Sequence, residues 1–123
     1  MLRPLIVILT LSAMPALAAT PSTSSGQISV AQVMDVVSRV DSDANSAMLL
    51  AAYLGGLGET AGVLLSATDA TGKPYVTCER SMALDAKLVS SVLKKAAPDK
   101  ASWPETAATP LIVSALVSRA GCR

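Results

Sequence analysis

Apolar residues recur along this chain at helical rather than strand spacing. From Ile28 to Val40, Val30, Val33, Met34, Val37 and Val40 fall on one face, with Asp35 and Arg39 opposite. That three-to-four periodicity predicts an amphipathic helix. Ser29 stands where its hydroxyl can cap the first turn. After a break at Asp41 to Ala44, with Asp43 as the next cap, the pattern changes. Asn45 to Leu65 is apolar or small almost all round: Met48, Leu49, Leu50, Tyr53, Leu54, Leu57, Val63, Leu64 and Leu65 leave little of the circumference polar. Such a helix is expected to be buried on all sides or to lie in a membrane. Gly55, Gly56, Gly58 and Gly62 each weaken it by up to about 1 kcal/mol. Close packing against a neighbouring helix or a second copy is the simplest compensation, so a bulky residue at Gly56 is expected to overpack.

Ser66 to Thr77 reads as a loop, because Asp69, Gly72 and Pro74 form turns. Met82 to Ala97 is again amphipathic, with Leu84, Leu88, Val89, Val92 and Leu93 on one face and Asp85, Lys87 and Lys94 on the other. Lys94 and Lys95 suit the negative end of its dipole, and Pro98 stops it. A second loop, Asp99 to Ala108, carries Trp103-Pro104. Thr109-Pro110 then reads as a cap followed by a first-turn proline. Leu111, Ile112, Ala115, Leu116 and Ala120 make the apolar face of the last helix, and Gly121 ends it. With no alternating strand pattern and no internal repeat, the expected fold is all-α, a small bundle of four to five helices within residues 28–123.

The first residues change the compartment. Arg3, the apolar run Leu5 to Leu11 and Ala16-Leu17-Ala18 have the order of a cleavable export signal over residues 1–18. The run is about half the ~20 residues that span a bilayer. Residues 19–27, rich in Ser and Thr, read as a flexible leader. Export makes the even cysteine pair, Cys78 and Cys122, a disulfide. Closing so long a loop stabilises the fold by about 4 kcal/mol on chain-entropy grounds. In a Gram-negative cell this implies the periplasm.

Removing the signal takes Arg3, so ten basic residues become nine, against nine acidic ones. A neutral chain has no electrostatic reason to bind nucleic acid or anionic lipid. Tyr53, Tyr75 and Trp103 are too few to stack bases or sugars. The chain has no histidine, which removes the commonest general base and metal ligand. A disulfide offers no thiolate, and Ser22, Ser24 and Ser25 have no base beside them. Asp41 and Asp43 read as a cap with a solvated neighbour. Gly55-Gly56-x-Gly58 has no preceding strand and no Lys-Ser after it, so it is not a phosphate loop. Neither enzyme chemistry nor a cofactor or metal is expected; a binding role is.

The order of features resembles the Tai/Rap family of type VI secretion amidase immunity proteins. The residues that carry the resemblance are Tyr53-Leu54-x-Gly56, Cys78 before the helix with Leu88-Val89-x-x-Val92-Leu93, and Leu111-Ile112-Val113-x-Ala115-Leu116 ending at Cys122. The resemblance implies a periplasmic, helical, often dimeric protein that binds a secreted cell-wall amidase and covers its active site. On that reading the partner is a cognate amidase effector and the contacts belong to the loops: Asp69, Lys73 and Tyr75 in the first, Trp103 and Glu105 in the second. Tyr and Trp are frequent interface anchors, although Trp103 could equally cover helix ends. Two other roles fit the composition. One is a periplasmic holdase chaperone with apolar surface exposed by acid. The other is a membrane-associated subunit anchored through Asn45 to Leu65, against which Glu59 stands as a charge that is costly in lipid.

Overall fold

The computed structural model describes residues 20–123, so the export signal expected over residues 1–18 lies outside the described residues. Within them the fold is all-α, with four α-helices, one 3-10 helix and one disulfide. Helix α1 is Val30–Arg39, α2 is Ala44–Leu65, α3 is Ala86–Ala96 and α4 is Ala108–Ala120; the 3-10 helix, Lys100–Glu105, precedes α4.

The helix starts follow local hydrogen-bond chemistry. Ser29 Oγ accepts from the Gln32 amide at 3.1 Å, while Gln32 Oε1 accepts from the Ser29 amide at 2.9 Å. This reciprocal pair satisfies two donors that the first turn leaves without partners. Asp43 accepts from the Asn45 and Ser46 amides, and from the Ser46 hydroxyl, which holds its carboxyl below the usual range. Asp85 accepts from the Leu88 amide at 2.7 Å. That cap fixes the start of α3 at Ala86, so Met82 to Asp85, expected as helix, is an irregular approach. Helix α4 also departs from expectation. It begins at Ala108 after Ala107, which makes no side-chain cap. The Thr109 hydroxyl is instead paired with Tyr53 Oη at 2.8 Å. Pro110 therefore sits third in the helix, still among the amides that need no helical partner. Gly121, at φ 66°, ends α4 in the left-handed conformation that favours glycine.

Helix α1 packs on α2, α3 packs on α4, and α1 also meets α3 and the 3-10 helix. Val30, Val33, Leu50, Leu54, Val89, Leu93 and Ile112 form the centre of the core. The starts of α1 and α4 are tied by backbone bonds, Val30 to Thr106 and Ala108 to Ile28. Of residues 19–27, read as a flexible leader, Pro21 to Gln27 are bonded to the fold. Thr23 is buried and accepts from the Gln27 amide, and the Pro21 carbonyl accepts from the Ser29 hydroxyl.

Helix α2 does not meet its expectation. It has 22 residues, about 33 Å at 1.5 Å each, against about 15 Å for the 10 residues of α1. It buries one stripe only: Ser46, Leu50, Leu54 and Leu57. Met48, Leu49, Val63 and Leu64 are 65, 61, 69 and 67 % exposed. The glycines meet no neighbour either. A Cβ added at Gly55, Gly56, Gly58 or Gly62 would find nothing within 4 Å. The close packing expected there is therefore absent among the described residues, and so is the overpacking at Gly56. Replacing Gly58 or Gly62 by Ala should raise stability by roughly 0.5–1 kcal/mol each, since only the helix-propensity term changes. Denaturant midpoints would show it, and a lowered midpoint would mean that something packs on that flank.

Candidate protein-binding surface

The first loop is a closed turn rather than a slack connection. Asp69 Oδ1 accepts from the Thr71 amide at 2.8 Å, the Thr71 hydroxyl at 2.7 Å and the Lys73 amide at 3.0 Å. The Asp69 amide bonds to the Lys73 carbonyl, the Gly72 amide to the Asp69 carbonyl, and the Tyr75 amide to the Ala67 carbonyl. Gly72, at φ 83°, provides the left-handed residue the reversal needs. The Thr71 hydroxyl, ahead of the amides, holds the Asp69 carboxyl below its ordinary value. Asp69 therefore shapes the tip. Lys73, Pro74 and Tyr75 are exposed at it, with Tyr75 68 % accessible.

Behind the tip the chain is fastened twice. Cys78 and Cys122 form the disulfide expected from the sequence. Around it Thr77 and Arg123 exchange two backbone bonds, at 2.9 and 3.0 Å, and the Glu79 and Arg80 amides both donate to the Ala120 carbonyl. The Arg123 guanidinium pairs with Glu79.

The second group of candidates is built inward. Trp103 is half-buried against the core, and its Nε1 donates to the Ala97 carbonyl at 2.8 Å. The Lys100 ammonium lies 5.8 Å from the ring centroid. Glu105 accepts from the Ser24 amide at 3.0 Å, and that amide holds its carboxyl below the usual range. Trp103 thus closes the core beside α3, and Glu105 anchors residues 21–27. The structure unites Asp69, Lys73 and Tyr75 in one turn, and Trp103 and Glu105 in one 3-10 helix packed on α1. Of the five, Lys73 and Tyr75 combine exposure with side chains that no fold-forming bond uses among the described residues.

Two features escaped the sequence reading. One is a groove of about 1100 Å³ between α2 and residues 76–86, with Leu116 and Ala120 on its lining. Gly55, Gly58 and Gly62 lie on its α2 wall with Ala47 and Ala51. Their common flank, legible in the numbering, was the signal for it. The other is the Tyr53–Thr109 pair, which joins the middle of α2 to the start of α4. Burial pushes the Tyr53 phenol up. No group of three or more Asp, Glu or Cys residues that could hold a metal is present among the described residues. Comparison with protein-family models, curated proteins and solved structures finds no match to this chain.

Proposed function

We propose that this protein is a periplasmic immunity protein that binds a type VI secretion peptidoglycan amidase and occludes its active site, with no catalysis of its own. The observation that carries the reading is the Asp69-locked turn, which holds Lys73 and Tyr75 in solvent at the end of a disulfide-fastened segment. A rigid tip loses little conformational entropy on entering a cleft, so more of its contact energy survives as affinity. Tyr75 offers a large apolar face with few rotors, and Lys73 a charge for the cleft rim. The resemblance in motif order supplies the amidase as the partner class. Export through residues 1–18 would deliver the protein to the compartment where such a toxin acts.

The test is a Lys73→Ala/Tyr75→Ala double variant titrated against the cognate amidase. Its helicity and melting should match the parent protein, because neither side chain holds the fold. Binding should weaken by at least ~2 kcal/mol, roughly 30-fold, and cells should lose protection. Unchanged affinity and protection would sink the assignment of the tip. Failure to recover any amidase with the periplasmic protein would sink the function itself.

A further inference from the structure

Net neutrality hides a separation of charge. Helices α3 and α4 carry Lys87, Lys94, Lys95 and Arg119 and no acidic residue. The rest of the described chain holds all nine acidic residues and five basic ones. Four positive charges thus stand on two helices that pack together, balanced by four negative charges outside them. The four cations are exposed, and none enters an ion pair among the described residues. Lys95 and Arg119 line a shallow groove of about 440 Å³ between the helices, with Ser114 and Ser118 on its α4 wall. Lys87 and Lys94 lie seven residues apart, two turns along the same side of α3. The flanking acids are engaged. Asp85 and Asp99, before and after α3, accept from the Leu88 and Ala101 amides, and Glu79 pairs with Arg123.

Helix stability accounts for only part of this set. Lys94, Lys95 and Arg119 stand in last turns, where a cation offsets the negative end of the helix dipole. Lys87 is the second residue of α3, at the positive end, where a cation is unfavourable.

We propose that the α3–α4 face docks on a surface of anionic lipid headgroups, its cations meeting the phosphate oxygens. The chemistry of the face selects this occupant. No large exposed apolar side chain lies on either helix. The face therefore lacks the aromatic and apolar anchors on which protein–protein interfaces depend. Neither helix carries an aromatic side chain on which bases could stack. The export expected from residues 1–18 would carry the chain to a membrane and away from nucleic acid. One exposed cation gains little from a single phosphate in water. Near an anionic surface the charges act together, each worth roughly fivefold in affinity. Docking of this kind requires no insertion of α2 and leaves Glu59 in water.

Flotation of the purified, oxidised protein with vesicles tests this without any amidase, so its outcome is separate from that of the proposed function. Vesicles with about 30 % phosphatidylglycerol in phosphatidylcholine should carry the protein at about 20 mM salt and release it at about 0.5 M, as screening removes the attraction. Pure phosphatidylcholine vesicles should carry none. Lys87→Gln, Lys94→Gln and Lys95→Gln together should weaken partition about 100-fold with unchanged circular dichroism. Lys94→Gln alone should weaken it about fivefold. Arg39→Gln, the same change in net charge on α1, should weaken it less than about twofold. Absence of binding at low salt would overturn the proposal. So would equal binding to pure phosphatidylcholine, which would assign the contact to the apolar side chains of α2. Equal effects of Lys94→Gln and Arg39→Gln would leave net charge, and not this face, as the cause. Tighter binding to duplex DNA than to the vesicles at the same salt would assign the face to nucleic acid instead.

Discussion

Replacing Cys78 and Cys122 together by Ser should lower stability by about 4 kcal/mol, the largest effect of any change outside the core. The bridge joins residues 44 apart in sequence, enclosing α3, the 3-10 helix and α4. Its contribution falls mainly on the unfolded chain, which loses the freedom to separate those ends. The folded state has other means of holding them together: the paired backbone bonds of Thr77 with Arg123 and those from Glu79 and Arg80 to Ala120. The serine variant should therefore keep its helical circular dichroism at low temperature while melting roughly 15–25 °C lower. Denaturant titration with and without reductant should give the same difference for the parent protein. A loss below ~1 kcal/mol would show that the unfolded chain already keeps these ends close. A loss of helicity at low temperature would show that the backbone bonds depend on the bridge.

What the sequence disclosed, and what it concealed, separates by the range of the interaction. Ser29 and Asp43 were legible as caps because each acts on amides within three residues of itself. The disulfide was legible because two cysteines leave Cys78 one partner. Thr109 was misread because its hydroxyl answers to Tyr53, 56 residues away, and not to its own helix. Asp69 and Glu105 were placed in a binding surface because they lie in the two loops. Their carboxylates are already engaged, one by its own turn and the other by Ser24. Helix α2 misled for a different reason. Hydrophobic periodicity reports which residues are apolar, and it does not report how many of them the rest of the chain can cover. An all-round apolar helix in the sequence became a helix buried on one stripe, with Met48, Leu49, Val63 and Leu64 of its outer face exposed.

Trp103→Ala should cost about 3 kcal/mol of stability and leave the proposed amidase contact intact. Two losses add. The ring packs against the core, and its removal leaves a void where the 3-10 helix meets α1. The indole N–H is also the partner of the carbonyl of Ala97, the residue whose amide closes the last turn of α3 on Leu93. Leaving a partly buried carbonyl without a donor costs about 1 kcal/mol or more. Trp103→Phe keeps most of the ring and removes only the donor, so it should lose about 1 kcal/mol, well short of the alanine variant. The ordering parent, Phe, Ala in denaturant midpoint, at constant slope, would establish Trp103 as a packing residue. Affinity for an amidase, measured where both variants are folded, should stay within about threefold of the parent value. The contrary pattern, an unchanged midpoint with binding abolished, would move Trp103 out of the core and into the interface, and the contact surface would then have to reach from the Lys73 tip to the 3-10 helix.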